Sequence, residues 1–220
     1  MPRVTVHLLR HGEVFNPEGV LYGRLPEFHL SERGRAMAAL VADHLRQKAD
    51  DGAKLVHLVA SPLTRAQETA QPSAAALGLD IRTDVRIIEA ENHFEGRKVS
   101  RHEILRPRNW PYFWNPLRPS WGEPYKQQAA RVMEAVHDVR RRALELGGDE
   151  AEAVMVSHQL PIWVTRLTAE NKPLWHDPRR RECTLASLTS LVFDGEVIAN
   201  VRYSEPAASL LPGAATTPGA

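Results

Sequence analysis

Short apolar runs alternate along the chain with stretches in which apolar residues recur every three or four positions. Thr5 to Leu9 is β-branched or apolar at most positions and stops at Arg10-His11-Gly12, the pattern of a buried strand delivering polar residues at its carboxyl end. Ser31 then opens a helix in which Met37, Leu40, Val41, His44 and Leu45 form one apolar stripe. Leu55 to Ala60 reads as a second buried strand, and Ser61-Pro62 as an N-cap followed by proline at the first position of the helix carrying Leu63, Thr64, Arg65 and Ala66. Asp80 to Ile88 is expected to be a third extended segment. From Lys126 to Leu146 a helical period returns through Val132, Met133, Val136, Val139 and Ala143, with Arg140 to Arg142 as its solvated face. Ala153 to Val156 reads as a strand ending at Ser157-His158, and Leu188 to Phe193 and Glu196 to Tyr203 flank Asp194-Gly195, a pair suited to a type I′ hairpin.

Strands alternating with helices and closed by a hairpin predict an α/β fold: a three-layer sandwich with a mainly parallel central sheet, an antiparallel edge strand and helices on both faces. The expected organisation is one domain over residues 1–204, with an aromatic-rich insertion around 97–125 and a flexible tail over 205–220, where proline, alanine, glycine and threonine lack a usable period. There is no internal repeat.

Charge narrows the partners. With 28 basic and 27 acidic residues and a net charge of +1, the chain lacks the electrostatic footprint of a nucleic-acid or anionic-membrane binder, so any anion site has to be local. The single cysteine, Cys183, excludes an intramolecular disulfide and a multi-cysteine zinc site, suits a reducing compartment, and reads as a small buried hydrophobe on a strand. Met1-Pro2-Arg3 leads directly into a strand without a signal-peptide core, and no apolar run is long enough to span a bilayer, so a cytoplasmic protein is expected. His7, His29, His44, His57, His93, His102, His137 and His176 show no metal-ligand spacing and read as structural or exposed, so neither metal nor cofactor is implied.

Three strand ends carry phosphoryl chemistry in chain order: Arg10 and His11, then Arg65, then His158. A neutral imidazole can attack phosphorus, an adjacent guanidinium can fork onto phosphoryl oxygens, and several fixed donors are needed to stabilise charge on the transferring group. Each residue has a plainer reading on its own: Arg10 and His11 as a polar strand end, Arg65 as a helix-surface arginine, His158 as a satisfied histidine, Glu89 as a solvated loop carboxylate. Jointly these would require four independent accidents at strand ends.

The sequence LLRHGE, followed by Gly23-Arg24, HLSERG, SPLTRAQETA, the acidic FEG segment and VSHQLPI, resembles the histidine phosphatase superfamily, the phosphoglycerate-mutase-like proteins, over roughly residues 4–168. The resemblance implies His11 as the phosphorylated nucleophile, Arg10, Arg65 and His158 as the phosphate pocket, Asn16 as a further phosphate ligand and Glu89 as general acid. Three departures stand out. Asn16 lies one residue closer to the histidine than is usual, and the stretch from Glu89 to Glu95 is one residue shorter, which makes Glu91 a competitor for the acid. Gln159 stands where many members have glycine, as in the bisphosphatase branch.

Arg24, Gln159 and Trp114 are candidate substrate contacts. Trp110, Tyr112, Phe113, Trp114 and Trp121 are interleaved with Arg106, Arg108 and Arg118, and read either as a packing cluster or as a lid over the pocket; stacking on bases is disfavoured by the neutral charge. Pro178 to Arg181 reads as a solvated loop, with an added anion contact as the alternative. The expected function is a phosphomonoester hydrolase acting through a phosphohistidine on a small phosphorylated metabolite, as a monomer or homodimer. The rivals are a phosphoglycerate mutase, disfavoured because the longer asparagine-rich segment after the nucleophile is missing, and a non-catalytic phosphate-binding module.

Overall fold

The computed structural model describes residues 1–98 and 122–215. The aromatic residues from Trp110 to Trp121, Trp114 among them, lie outside the described residues, so the choice between lid and packing cluster falls there too. Strand β1 (Arg3–Arg10) is followed by α1 (Glu32–Asp50), β2 (Lys54–Ala60), α2 (Thr64–Leu77) and the short β3 (Ile81–Thr83). Then come α3 (Tyr125–Gly147), β4 (Ala151–Ser157), α4 (Gln159–Ala169) and the hairpin of β5 (Leu188–Asp194) and β6 (Val197–Ser204).

The six strands lie in the order β3-β2-β4-β1-β5-β6. Pairing is parallel from β3 across to β1, and β5 runs antiparallel to both β1 and β6. The reversed strand is therefore β5, one place in from the edge. Because β1 is covered on both faces, its alternate residues feed two cores: Val4, Val6 and Leu8 pack with Val132, Val136 and Val139 of α3, while Leu9 packs with Met37, Val41 and Leu45 of α1. This is the predicted three-layer α/β sandwich. Sites in such sheets lie at the carboxyl ends of the strands, where the chain switches direction between faces. Here that point is the junction of β2, β4 and β1.

Several local expectations change. Ser31 does cap α1, accepting from Gly34 N, but His44 is exposed, and Ala38 and Ala42 complete the buried stripe. Helix α2 starts at Thr64 with Leu63 as N-cap and no capping side chain, so Ser61 does not cap it. The third extended segment is only Ile81–Thr83; a 3₁₀ turn, Val85–Ile87, follows because the Asp84 carboxylate accepts from Arg86 N. The hairpin turn is Gly195-Glu196, and a positive φ at Gly195 alone fits type II′ rather than type I′.

Arg140 leaves the solvated face of α3. It is buried, stacked on Phe193, and donates to the Gly195 carbonyl at 2.6 Å. Cys183 is buried, but in the loop before β5 and not on a strand. The tail is folded over residues 205–215: Ala207 is buried against the α1 core with Leu210, Leu211 and Ala214 beside it, and Ala215 N donates to Glu13 Oε1 at 2.8 Å. Its apolar side chains outweigh the missing period.

Candidate active site

Strand register brings the candidate residues together. Arg10 is paired with Ser157 across β1 and β4, and Ala60 with Val156 across β2 and β4. The next residues on the three strands, His11, His158 and Ser61, are therefore forced side by side. His11 N donates to Ser157 O at 3.1 Å and Ser61 N to Val156 O at 2.9 Å, extending the ladders to the site itself. The His11 and His158 rings lie 5.2 Å apart, and both residues are completely buried.

His11 Nδ1 is 2.8 Å from the Gly12 carbonyl. A carbonyl only accepts, so the proton sits on Nδ1 and the lone pair on Nε2, which is buried and has no partner among the described residues. Burial, then the charges of Arg65 and Arg10, hold the imidazole well below its ordinary pKa, which keeps it neutral and nucleophilic. His158 Nε2 pairs with Ser61 Oγ at 2.7 Å while its Nδ1 is orphaned, and burial followed by Arg65, His11 and Arg10 lowers its pKa in the same way.

The cations are fixed from behind. Arg10 Nη1 donates to Cys183 O at 2.7 Å. Arg65, on the first turn of α2 and 1% exposed, donates to the carbonyls of Gly23 and Leu25, lies 4.7 Å over the Tyr22 ring, and keeps an orphaned Nε. Among the described residues no carboxylate forms a salt bridge with Arg65. An arginine buried this deeply without one is rare, because the cost of desolvating the charge is not offset.

Gly12 has a packing role. A Cβ there would lie 2.5 Å from the Gly34 carbonyl, and one on Gly34 would lie 2.0 Å from the Glu13 carbonyl, so two glycines let α1 press against the loop after His11. Thr69 adds a brace, accepting from Gly12 N and donating to the Arg65 carbonyl.

Glu89 follows the 3₁₀ turn and is 7% exposed, whereas the Glu91 side chain is 73% exposed and paired with Arg24. Burial raises the Glu89 pKa, against the Ala90 N–H, Arg65, Arg181 and Arg10, which lower it. Its backbone is clamped: Arg24 Nε donates to Glu89 O at 2.7 Å, Arg131 Nη2 to the same carbonyl at 3.5 Å, and Ser157 Oγ to Ile87 O at 2.7 Å. Glu123 binds Arg24 and Arg131 and ties the clamp together.

The sequence profile of the histidine phosphatase superfamily (branch 1) matches residues 6–206. The chain belongs to this superfamily. It is 53% identical over 211 residues, 94% of this chain and 100% of the other, to "Uncharacterized protein Rv0525" of Mycobacterium tuberculosis. It is 36% identical over 190 residues, 83% of each chain, to "Probable phosphoglycerate mutase GpmB" of Yersinia pestis. The structure of mycobacterial glucosyl-3-phosphoglycerate phosphatase Rv2419c with VO3 superposes with a TM-score of 0.71 at 25% identity, covering 93% of this chain and 97% of that one.

Within this superfamily fold the other candidates divide. His11, His158, Arg10, Arg65 and Glu89 share one electrostatically coupled cluster. Asn16 does not join them through its side chain: its amide donates to Val20 O and accepts from Val20 N, closing its own turn. Arg24 was expected to touch substrate, but its guanidinium is taken up by Glu89 O, Glu91 and Glu123, which makes it a clamp on the Glu89 loop. Gln159 is half-buried, its amide donating to Cys183 O at 3.3 Å. Sequence reasoning missed Ser61, Tyr22, Thr69 and Arg131, of which only Ser61 carried a local signal, and it suggested a cap. Arg181 it placed in a solvated loop, with an added anion contact as the alternative.

Proposed function

We propose that this protein is a phosphomonoester hydrolase that works through a phosphohistidine on His11. The observation that carries the reading is the His11 ring, buried, protonated on Nδ1 toward Gly12 O, and left with a partnerless Nε2 beside Arg10, Arg65 and His158. In the first step Nε2 attacks phosphorus, the P–N bond forms as the P–O bond to the leaving group breaks, and the Glu89 proton passes to the departing oxygen. Its raised pKa supports the protonated state that this role needs. In the second step Glu89, now a carboxylate, takes a proton from water, whose oxygen bonds to phosphorus as the P–N bond breaks; inorganic phosphate leaves and His11 returns to its neutral form. Arg10, Arg65 and His158 supply positive charge and hydrogen bonds to the phosphoryl oxygens in both steps.

The 36% identity to a protein named as a probable phosphoglycerate mutase favours a second reading on the same pocket, in which the phosphoryl group returns to the substrate. A panel of phosphomonoesters that includes 3-phosphoglycerate, run with and without 2,3-bisphosphoglycerate, separates the two. The hydrolase reading expects free phosphate release. Isomer exchange without release would establish the mutase, and neither outcome would leave a binding module.

A further inference from the structure

Three consecutive arginines follow Asp177-Pro178, and they do not behave alike. Arg179 is exposed and closed onto Asp177 at 2.8 Å, and Arg180 is exposed. Arg181 has extended backbone and turns inward to become half-buried. Its Nε donates to His176 Nε2 at 2.9 Å, which requires that nitrogen to be unprotonated; His176 Nδ1, 2.7 Å from Leu174 O, carries the ring's proton. The His176 ring is held by Tyr125 and Trp163, with centroids 5.4 Å and 5.9 Å away. Arg181 Nη1 reaches Gln159 Oε1 at 3.4 Å, and Gln159 in turn donates to Cys183 O, the carbonyl that accepts from Arg10. The guanidinium is thus supported by neutral acceptors and joined to the phosphate pocket through Gln159 and one carbonyl.

What it lacks is a counter-charge. Arg24, Arg86, Arg131 and Arg166 each form salt bridges with carboxylates. Among the described residues Arg181 forms none, and no acceptor is bonded to its Nη2. Glu89 and Arg10 are the charged groups it faces at longer range, with the uncharged Tyr125 and Cys183 side chains also nearby. A partly desolvated guanidinium, positioned by a supporting shell and left without an anion, is suited to receive one from a ligand.

We propose that Arg181 binds a second anionic group of the substrate, a carboxylate or a further phosphate, carried on the leaving-group side of the scissile bond. The placement follows because a phosphomonoester carries one organic substituent, the leaving group, and Arg181 is joined through Gln159 and the Cys183 carbonyl to Arg10 of the phosphate pocket. The inference rests on the hydrolase reading and narrows its substrate class to phosphomonoesters with a second negative charge. It also gives Gln159 a part, as the link that sets the spacing between the two anion sites.

Non-hydrolysable phosphonates test this without turnover. Calorimetric affinities are measured for phosphonoacetate, 3-phosphonopropionate and propane-1,3-diphosphonate, each against the alkylphosphonate of matching length, with the wild type, Arg181→Gln and Arg181→Lys. The wild type is expected to prefer at least one doubly anionic ligand by about tenfold or more. Arg181→Gln should abolish that preference and Arg181→Lys keep part of it, with both variants still binding the alkylphosphonates. The carboxylate and bisphosphonate arms distinguish the two sources of the second charge. A wild type that shows no preference, or a preference that survives in Arg181→Gln, overturns the proposal while leaving the phosphate pocket standing. Failure of the wild type to bind any phosphonate overturns the pocket and the proposal together.

Discussion

Two buried histidines, His7 and His11, stand on and just beyond the same strand, and their surroundings are opposite. His7 has both nitrogens engaged, Nδ1 with Ser190 Oγ at 2.7 Å and Nε2 with Glu152 Oε2 at 2.8 Å, and Lys48 completes the cluster on Glu152. Burial alone would raise the Glu152 pKa, but the His7 hydrogen bond and the charges of His7 and Lys48 hold it at about 2. His11 has one engaged nitrogen, one orphan, and cations for neighbours. The His7 cluster is built the way stability is built, with each buried polar group matched. The His11 cluster leaves His11 Nε2, His158 Nδ1 and Arg65 Nε unmatched among the described residues, an arrangement that costs stability and that an anionic ligand would offset.

The sharpest break between the two regions comes from substituting each histidine. His11→Gln is expected to lower phosphomonoesterase turnover by about 10⁴-fold or more, the scale seen when a nucleophile is removed, while the melting temperature stays within about 4 °C of the wild type. Retention of most activity would remove His11 from the chemistry.

Glu89→Gln should slow the first-turnover transfer of phosphorus from an alkyl phosphate by about 10²–10⁴-fold and from an activated aryl phosphate far less, since only the poor leaving group needs the proton. Because the Glu89 pKa is raised above 4.5, its proton is lost on the alkaline side of that value, and the rate for the alkyl ester falls there. That limb should be missing from the pH profile of the variant. If Glu91→Gln shows this pattern and Glu89→Gln does not, the exposed carboxylate is the acid.

His7→Leu is expected to do the reverse of His11→Gln. It strips Glu152 and Ser190 of a buried partner and should cost about 2 kcal/mol, lowering the melting temperature by about 4–8 °C, while kcat/KM of the folded protein is unchanged. A loss of activity without loss of stability would erase the contrast.

The smallest effect separates the regions by pH. His11 and His158 have lowered pKa values in the folded state, so as the pH falls below about 6.5 the unfolded chain takes up protons that the folded chain refuses, and stability drops. Glu152, with its lowered pKa, contributes fully above about 4.5 and loses that contribution as the pH falls toward about 2. Urea unfolding should therefore show a slope between pH 6.5 and 5 that is shallower in His11→Gln than in the wild type. Equal slopes would mean that His11 titrates alike in both states.

The strand ends and their chemistry were legible because they depend on neighbours in the chain: an apolar run, a polar stop, a glycine or proline. The same local reading misplaced Ser61, which looks like a cap beside Pro62 but is drawn to His158 by the pairing of β2 with β4. Arg24 looked like a substrate contact, and only the fold shows that the Glu89 loop and Glu123 consume its guanidinium. Arg140 and Arg181 each lie in a run of three arginines, where composition suggests solvent. The inward member is selected by a helix face in one case and an extended step after a 3₁₀ turn in the other.

The central claim is that phosphoryl groups pass through His11, and rapid quenching tests it most directly. Glu89→Gln mixed with an activated aryl phosphate carrying labelled phosphorus needs no acid for the first step but lacks the base for the second, so label should accumulate. The account predicts acid-labile phosphorus on His11, approaching one per chain, and none in the variant that also carries His11→Gln. Turnover with no trapped label, or label on another residue, would contradict it.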